Sequence, residues 1–257
     1  MSAERKTHGR WIYGPHGVEG MLSSARQRIV KILYARPEED RTVREILEAA
    51  GRSGIETERV PAELIYRKTG SRNHRGIAAL CVDRGTLSLE ELHGILGNRQ
   101  GLVVALDGVE DPQNLGAVLR TCECAGVDGV LVPERRASPI TAAVVHASAG
   151  ASAFLNIVRA KNLAAAILGL KVKGYWAVGA EAGSAVRYTE FDYRRPLILI
   201  LGGEDSGIRA HVRSLCDAVV SIPTSGKTGC LNVSVAAGVI LYEVVRQRSL
   251  SGEDGLR

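Results

Sequence analysis

Val219-Val220-Ser221-Ile222-Pro223-Thr224-Ser225-Gly226-Lys227-Thr228-Gly229-Cys230-Leu231-Asn232-Val233-Ser234-Val235-Ala236-Ala237 reads as three pieces in succession. A β-branched run ends at a proline, a loop with two glycines follows, and small apolar residues then open a helix that continues to Arg248. Strand, loop and helix in that order form half of a βαβ unit, the building block of a parallel sheet. Gly226-Lys227-Thr228 imitates the end of a phosphate-binding loop. The first glycine of that motif would fall at position 221, which is serine, so a nucleotide triphosphatase is rejected.

Moving toward the N-terminus, Leu197-Ile198-Leu199-Ile200-Leu201 is a continuous apolar run of strand length, followed by Gly202-Gly203-Glu204-Asp205-Ser206-Gly207. Such a run fits a strand covered on both faces. On its own, the glycine loop is equally a tight strand-to-helix turn or a place where a ligand approaches the backbone. Further upstream, Leu106-Asp107-Gly108-Val109-Glu110-Asp111-Pro112-Gln113-Asn114-Leu115-Gly116 leads to Arg120. This segment predicts a strand end, a turn and a helix capped by Asn114. The remaining pattern predicts strands at Leu102–Leu106, Gly129–Val132, Tyr175–Val178, Leu197–Leu201 and Ala218–Ser221. Helices are predicted at Leu115–Ala125, Ile140–Ala147, Leu163–Lys171, Arg209–Leu215 and Val233–Arg248. All three loops follow predicted strands, and the carboxyl ends of strands are where an open α/β sheet binds ligands.

The first 82 residues form a smaller alternating series. Strands are expected at Trp11–Gly14, Ile29–Tyr34 and Gly76–Val82, with helices at His16–Leu22 and Val43–Ala50, the latter closed by Gly51. The predicted organisation is a domain over 1–84, a linker over 85–100 carrying a short helix at Leu89–Leu96, and a second domain over 101–257. Aromatic residues are only 4% of a chain that is 45% hydrophobic, so the core rests on aliphatic side chains and suits α/β better than a sandwich. Lys and Arg outnumber Asp and Glu by 33 to 28, and Arg67, Lys68, Arg72 and Arg75 are among the cations that make the first 86 residues basic. That balance points to a polyanion such as RNA. Five scattered cysteines, no signal-peptide pattern and no apolar run of membrane length predict a cytoplasmic protein without a membrane partner. No metal-ligand spacing is visible, and no metal is expected.

In order and spacing, three sets of residues resemble the three motifs of the SPOUT superfamily. They are Asn114-x-Gly116-x-x-x-Arg120, Gly202-Gly203-Glu204-x-x-Gly207, and Ile222-Pro223 with Leu231-Asn232-Val233-Ser234-Val235-Ala236. The branch in question is the SpoU/TrmH one, which methylates ribose 2′-oxygens in RNA. Ile12-Tyr13-Gly14-x-His16-x-Val18 and His74-Arg75-Gly76-Ile77 resemble the substrate-binding domain of that branch, which is similar to ribosomal protein L30e. The resemblance implies an α/β fold: a SPOUT domain with a parallel sheet and a deep trefoil knot, preceded by a small L30e-like α/β RNA-binding domain. It implies S-adenosyl-L-methionine as cofactor, a homodimer, and RNA as substrate. The two-domain layout is most similar to enzymes acting on a guanosine of 23S rRNA. A tRNA, an antibiotic-resistance site in rRNA, or an inactive RNA-binding homologue remain alternatives. Carried over by position, Arg120, Asn114, Glu204 and Asn232 are the expected catalytic group, and Gly202, Gly203, Ile222, Leu231 and Ser234 the expected cofactor group. Without the resemblance, Glu204 reads as a salt-bridging residue and Ile222 and Leu231 as core. The chain departs from the family at Cys230, where members commonly have serine.

Overall fold

The computed structural model describes residues 10–23, 27–35, 40–83, 86–97, 100–135, 137–204, 207–227 and 229–250. The chain divides into two compact units: one of residues up to Gly85 together with Ile140–Phe154, the other of Thr86–Pro139 and Leu155 onward.

The first unit starts with β1 (Arg10–Tyr13), α1 (Pro15–Ser23), β2 (Gln27–Tyr34), α2 (Arg41–Arg52), β3 (Glu56–Arg59), α3 (Ala62–Thr69) and β4 (Ile77–Asp83). Its sheet has the order β1-β4-β2-β3, with β4 antiparallel to both neighbours and β2 parallel to β3. One face is covered by the apolar sides of α1 and α2, with Ile12, Val18, Met21, Ile32, Val43, Ile46 and Ala79 at its centre. Val43, Ile46 and Ala50 fall at helical spacing and are the buried side of α2. That helix begins at Asp40, whose carboxylate accepts hydrogen bonds from the N–H groups of Thr42 and Val43. Gly51 does not close it. The helix runs through Arg52, the N–H of Ser53 bonds to the carbonyls of Ala49 and Ala50, and Gly54, at φ +64°, carries the chain away.

Two elements of this unit have no counterpart in the apolar pattern. Glu56-Thr57-Glu58-Arg59 is exposed at all four positions, so it carries no hydrophobic alternation. It is a strand because its backbone pairs with β2 and because the Lys31 ammonium meets Glu56 at 2.6 Å and Glu58 at 2.8 Å. The helix α3 buries only Ile65 fully, too little to register as a periodic face.

The second unit opens with α4 (Leu89–Leu96), at the residues where a linker helix is predicted. Ser88 and Glu91 form a capping box, and Leu92 and Leu96 are buried in the core of this unit. Next come β5 (Leu102–Asp107), α5 (Pro112–Cys124) and β6 (Gly129–Pro133). The helix α6 (Ala142–Ala147) belongs to the first unit, where Val145 joins the core. The chain then continues through β7 (Ile157–Ala160), α7 (Leu163–Lys171), β8 (Trp176–Ala180), β9 (Val186–Arg187), β10 (Leu197–Gly202), α8 (Ala210–Arg213), β11 (Ala218–Ser221) and α9 (Val233–Leu250).

The sheet order is β7-β6-β5-β10-β8-β11-β9, and every neighbouring pair is parallel. The predicted parallel α/β sheet is therefore found. β5 and the first five residues of β10 are buried throughout, as expected for central strands with both faces covered. Because β10 lies between β5 and β8, the loops after β5, β8, β10 and β11 leave the same edge of the sheet side by side.

Candidate active site

At that edge lies a cavity of about 460 Å³. Its walls come from the ends of β8 (Ala180, Glu181), β10 (Leu201, Gly202) and β11 (Val220), from the loop Ile222–Asn232, and from Val233, Ala236 and Ile240 of α9. The lining is mainly aliphatic, and Glu181, Glu204 and Asn232 add polar atoms. An apolar pocket with a few convergent polar groups at strand ends is the form expected of a small-molecule site.

Asp107, the last residue of β5, is fully buried and accepts hydrogen bonds from the Arg209 backbone N–H at 2.9 Å and its Nε at 2.7 Å. This charged pair fastens the end of β5 to the start of α8. Replacing Arg209 would strand the buried Asp107 carboxylate. Its partners lie 102 residues apart, so spacing gave no sign of the pair.

Gly202 and Gly203 are glycines for steric reasons. A Cβ at 202 would overlap the carbonyl of Gly207, and one at 203 would overlap the carbonyl oxygen of Gly108. The loop after β10 folds back on itself, with Gly203 bridged to Gly207, and leaves no room for a side chain. Gly202, Gly203, Ile222 and Leu231 all line the cavity.

Asn114 does not cap α5. Asp111 does, accepting from the Asn114 N–H at 2.9 Å, with Pro112 in the first turn. The Asn114 side chain is thereby free to bridge two other segments. Its Nδ2 donates to Oε1 of Glu204, and its Oδ1 accepts from Nδ2 of Asn232 at 3.0 Å. Oδ1 of Asn232 in turn accepts from the Ser234 N–H at 2.8 Å and the Ser234 hydroxyl at 2.7 Å. Four expected site residues from three distant segments thus form one hydrogen-bonded row, with Glu204 and Asn232 on the cavity wall. Ser234 bonds to Asn232 but does not itself line the cavity.

Arg120 stands apart from this row. It is exposed on α5, six residues beyond Asn114, about 9 Å along a helix axis. Its side chain makes no hydrogen bond or ion pair among the described residues. Cys230 is exposed and lines the cavity. Lys227 is exposed in the same loop, and Thr228 lies outside the described residues. Glu181, which no motif identified, meets Arg213 Nε at 2.6 Å. Among the described residues, no group of three or more His, Cys, Asp or Glu side chains could hold a metal ion.

Residues 101–242 match the model of the SpoU rRNA Methylase family, which spans more than half of the chain. The chain belongs to that family. Residues 11–84 match the model described as RNA 2′-O ribose methyltransferase substrate binding. The 23S rRNA (guanosine-2′-O-)-methyltransferase RlmB of Haemophilus ducreyi is 34% identical over 92% of this chain and 97% of its own. Among solved structures, the SpoU methyltransferase AviRb from Streptomyces viridochromogenes, in complex with the cofactor AdoMet, is similar with a TM-score of 0.79. Its identity is 24%, covering 93% of this chain and 90% of that one. The TrmH/SpoU tRNA modifying enzyme of A. aeolicus is 30% identical with a TM-score of 0.55, over 64% of this chain and 84% of its own. Membership of the SpoU family makes the protein an RNA methyltransferase, and the seven-stranded parallel sheet just described is the fold it shares with these neighbours.

Proposed function

We propose that this SpoU-family protein transfers a methyl group from S-adenosyl-L-methionine to the ribose 2′-hydroxyl of a guanosine in 23S rRNA. The observation that carries the reading is the Glu204–Asn114–Asn232 row at the lip of an apolar cavity. The cavity suits the cofactor: Val220, Ile222, Leu231 and Ile240 offer apolar walls for an adenine ring, and the Glu181 and Glu204 carboxylates complement a sulfonium and an ammonium. When bound, the cofactor supplies a methyl group already activated toward a nucleophile.

The protein has to orient the ribose oxygen and help it lose its proton. Asn114 and Asn232 are fixed by each other and by Glu204 and Ser234, which sets the direction of their polar atoms before substrate arrives. We assign Arg120 an electrostatic role, in which its guanidinium binds phosphate and stabilises the developing alkoxide. A guanidinium already carries its proton and has no free lone pair, so the 2′-hydroxyl proton passes to water as the oxygen–methyl bond forms and the sulfur–methyl bond breaks.

Several finer features belong to the same reading. The first unit is the RNA-recognition domain. The 23S rRNA substrate is supported by the H. ducreyi 23S rRNA enzyme, which aligns along 92% of the chain. A homodimer is supported by exposed apolar side chains at the lip and on α9, with Leu231 40%, Val235 50% and Tyr242 53% accessible. The deep trefoil knot is supported by the placing of β10 between β5 and β8 and by the packing of α9 on α5. A cytoplasmic location follows from the substrate, and no described helix is long and apolar enough to cross a membrane.

The test is transfer of labelled methyl to unmodified 23S rRNA and, in parallel, to bulk tRNA, with the labelled nucleotide mapped. Label on a guanosine ribose of 23S rRNA is expected. Label on tRNA alone overturns the substrate, and label on neither overturns the reading. Arg120→Ala should reduce transfer roughly 10²–10³-fold while S-adenosylhomocysteine still binds. Turnover equal to the parent would remove Arg120 from the mechanism.

A further inference from the structure

The first unit carries four exposed cations within nine residues of sequence: Arg67 and Lys68 in the last turn of α3, and Arg72 and Arg75 in the turn after it. None of the four forms an ion pair among the described residues. Other cations of the same unit do: Lys31 with Glu56 and Glu58, and Arg41 with Glu45. An ordinary solvated face mixes both signs, whereas this one is left positive.

The Arg72 guanidinium carbon lies 5.2 Å from the centroid of the Tyr66 ring. The pair presents a flat, cationic and aromatic surface, the kind of group on which an unstacked nucleobase rests. The turn that bears these residues is firmly built. Ser71 Oγ accepts from the Asn73 N–H at 3.1 Å, and α3 packs against the turn. His74 is buried, and its Nδ1 accepts from the Gly76 N–H at 2.9 Å. Burial lowers the pKa of His74, which keeps that nitrogen free to accept. Between them Arg75 is held at φ +48°, a left-handed conformation that disfavours any residue with a Cβ, and its side chain is exposed.

We propose that this corner, formed by the end of α3 and the turn Arg72–His74, is the RNA-docking surface of the first unit and takes single-stranded RNA. Arg67, Lys68 and Arg75 contact phosphates, and the Arg72–Tyr66 pair stacks one base. A base paired in an A-form duplex has no free face to stack, so the platform selects loops, bulges and opened strands. The inference rests on the reading of the protein as an RNA methyltransferase. It goes further by naming the surface and the form of RNA that it takes.

The experiment uses the full chain, with oligouridylate and a fully paired RNA duplex as probes and S-adenosylhomocysteine binding as a control. Tyr66→Ala should weaken oligouridylate binding about tenfold or more, with Tyr66→Phe largely restoring it and the duplex little affected. The triple change Arg67→Gln, Lys68→Gln and Arg75→Gly should lower the slope of log affinity against log salt by about 2. Arg75→Gly also relieves the left-handed strain, so a folding defect would not explain that loss. Unchanged oligouridylate affinity and slope in these variants, or equal losses on both probes for Tyr66→Ala, would overturn the proposal. Methyl transfer to 23S rRNA by the parent protein stands or falls separately, so a failed corner is distinguishable from a failed function.

Discussion

The loop after β10 and the loop after β11 border the same cavity but are fixed by different means. In the first, the backbone itself leaves no space: side chains at 202 and 203 would strike the carbonyls of Gly207 and Gly108. In the second, every described residue from Pro223 to Asn232 is exposed. A Cβ at Gly229 would meet nothing within 4 Å, although its φ of +73° is left-handed. The second loop is held by a Thr224 hydroxyl bond to the Gly229 carbonyl at 3.3 Å and, at its far end, by Asn232 on Asn114. One wall is thus made by the fold, and the other is set by a few polar bonds. The cavity joins a rigid half to an adjustable half.

The contrast is most directly broken with a single methyl group. Gly202→Ala or Gly203→Ala should destabilise the protein by about 3 kcal/mol, because the obstructing atoms are backbone and cannot turn aside. Gly229→Ala should cost only about 1 kcal/mol, the strain of a left-handed alanine in open space. Urea unfolding of the three variants provides the comparison. Equal costs at 203 and 229 would mean that the loop after β10 yields as easily as its neighbour, and the distinction would be lost.

A smaller effect tests the polar row that joins the two loops through α5. Asn114 bonds to Glu204 on the rigid side and to Asn232 on the adjustable side. A double-mutant cycle of Asn114→Ala with Asn232→Ala should give a coupling of about 1 kcal/mol in S-adenosylhomocysteine affinity. Strict additivity would show that Asn232 takes its position independently of Asn114.

The same contrast explains what the sequence could and could not disclose. β5 and β10 were readable because a strand buried on both faces must be apolar at every position, and Leu102–Leu106 and Leu197–Leu201 are. β3 was not readable, since a strand whose side chains all face water leaves no apolar trace. β9 has only two residues, too short to set a period. Motif resemblance picked out Asn114, Glu204 and Asn232, but their hydrogen bonds span 90 and 118 residues, distances over which no spacing rule operates. At α5 the cap is Asp111 and not the expected Asn114. Asp111 and Asn114 are both favoured caps, and Pro112 between them settles the matter because proline suits the first helical turn. With Pro112 in the first turn and Asp111 as the cap, the Asn114 side chain is left for the site. The glycines at 202 and 203 read equally as a tight turn or a ligand's approach, and in the structure the room they save belongs to the chain's own backbone.

Cysteine chemistry offers the finest probe of the adjustable wall. Cys122 is wholly buried on α5, and desolvation raises its thiol well above the usual range, so it should resist alkylation. Cys124 and Cys230 are both exposed and should react. Cys230 alone belongs to the cavity lining. If the loop after β11 settles around the cofactor, S-adenosylhomocysteine should slow iodoacetamide labelling of Cys230 severalfold and leave Cys124 unchanged, as peptide mass mapping would record. Cys124 serves as the internal control for a general effect of the ligand on the reagent or on global unfolding. Protection of Cys230 without a change at Cys124 would locate the response in the exposed loop. Saturating ligand with no protection at either thiol would mean that the second wall is as fixed as the first, its exposure notwithstanding.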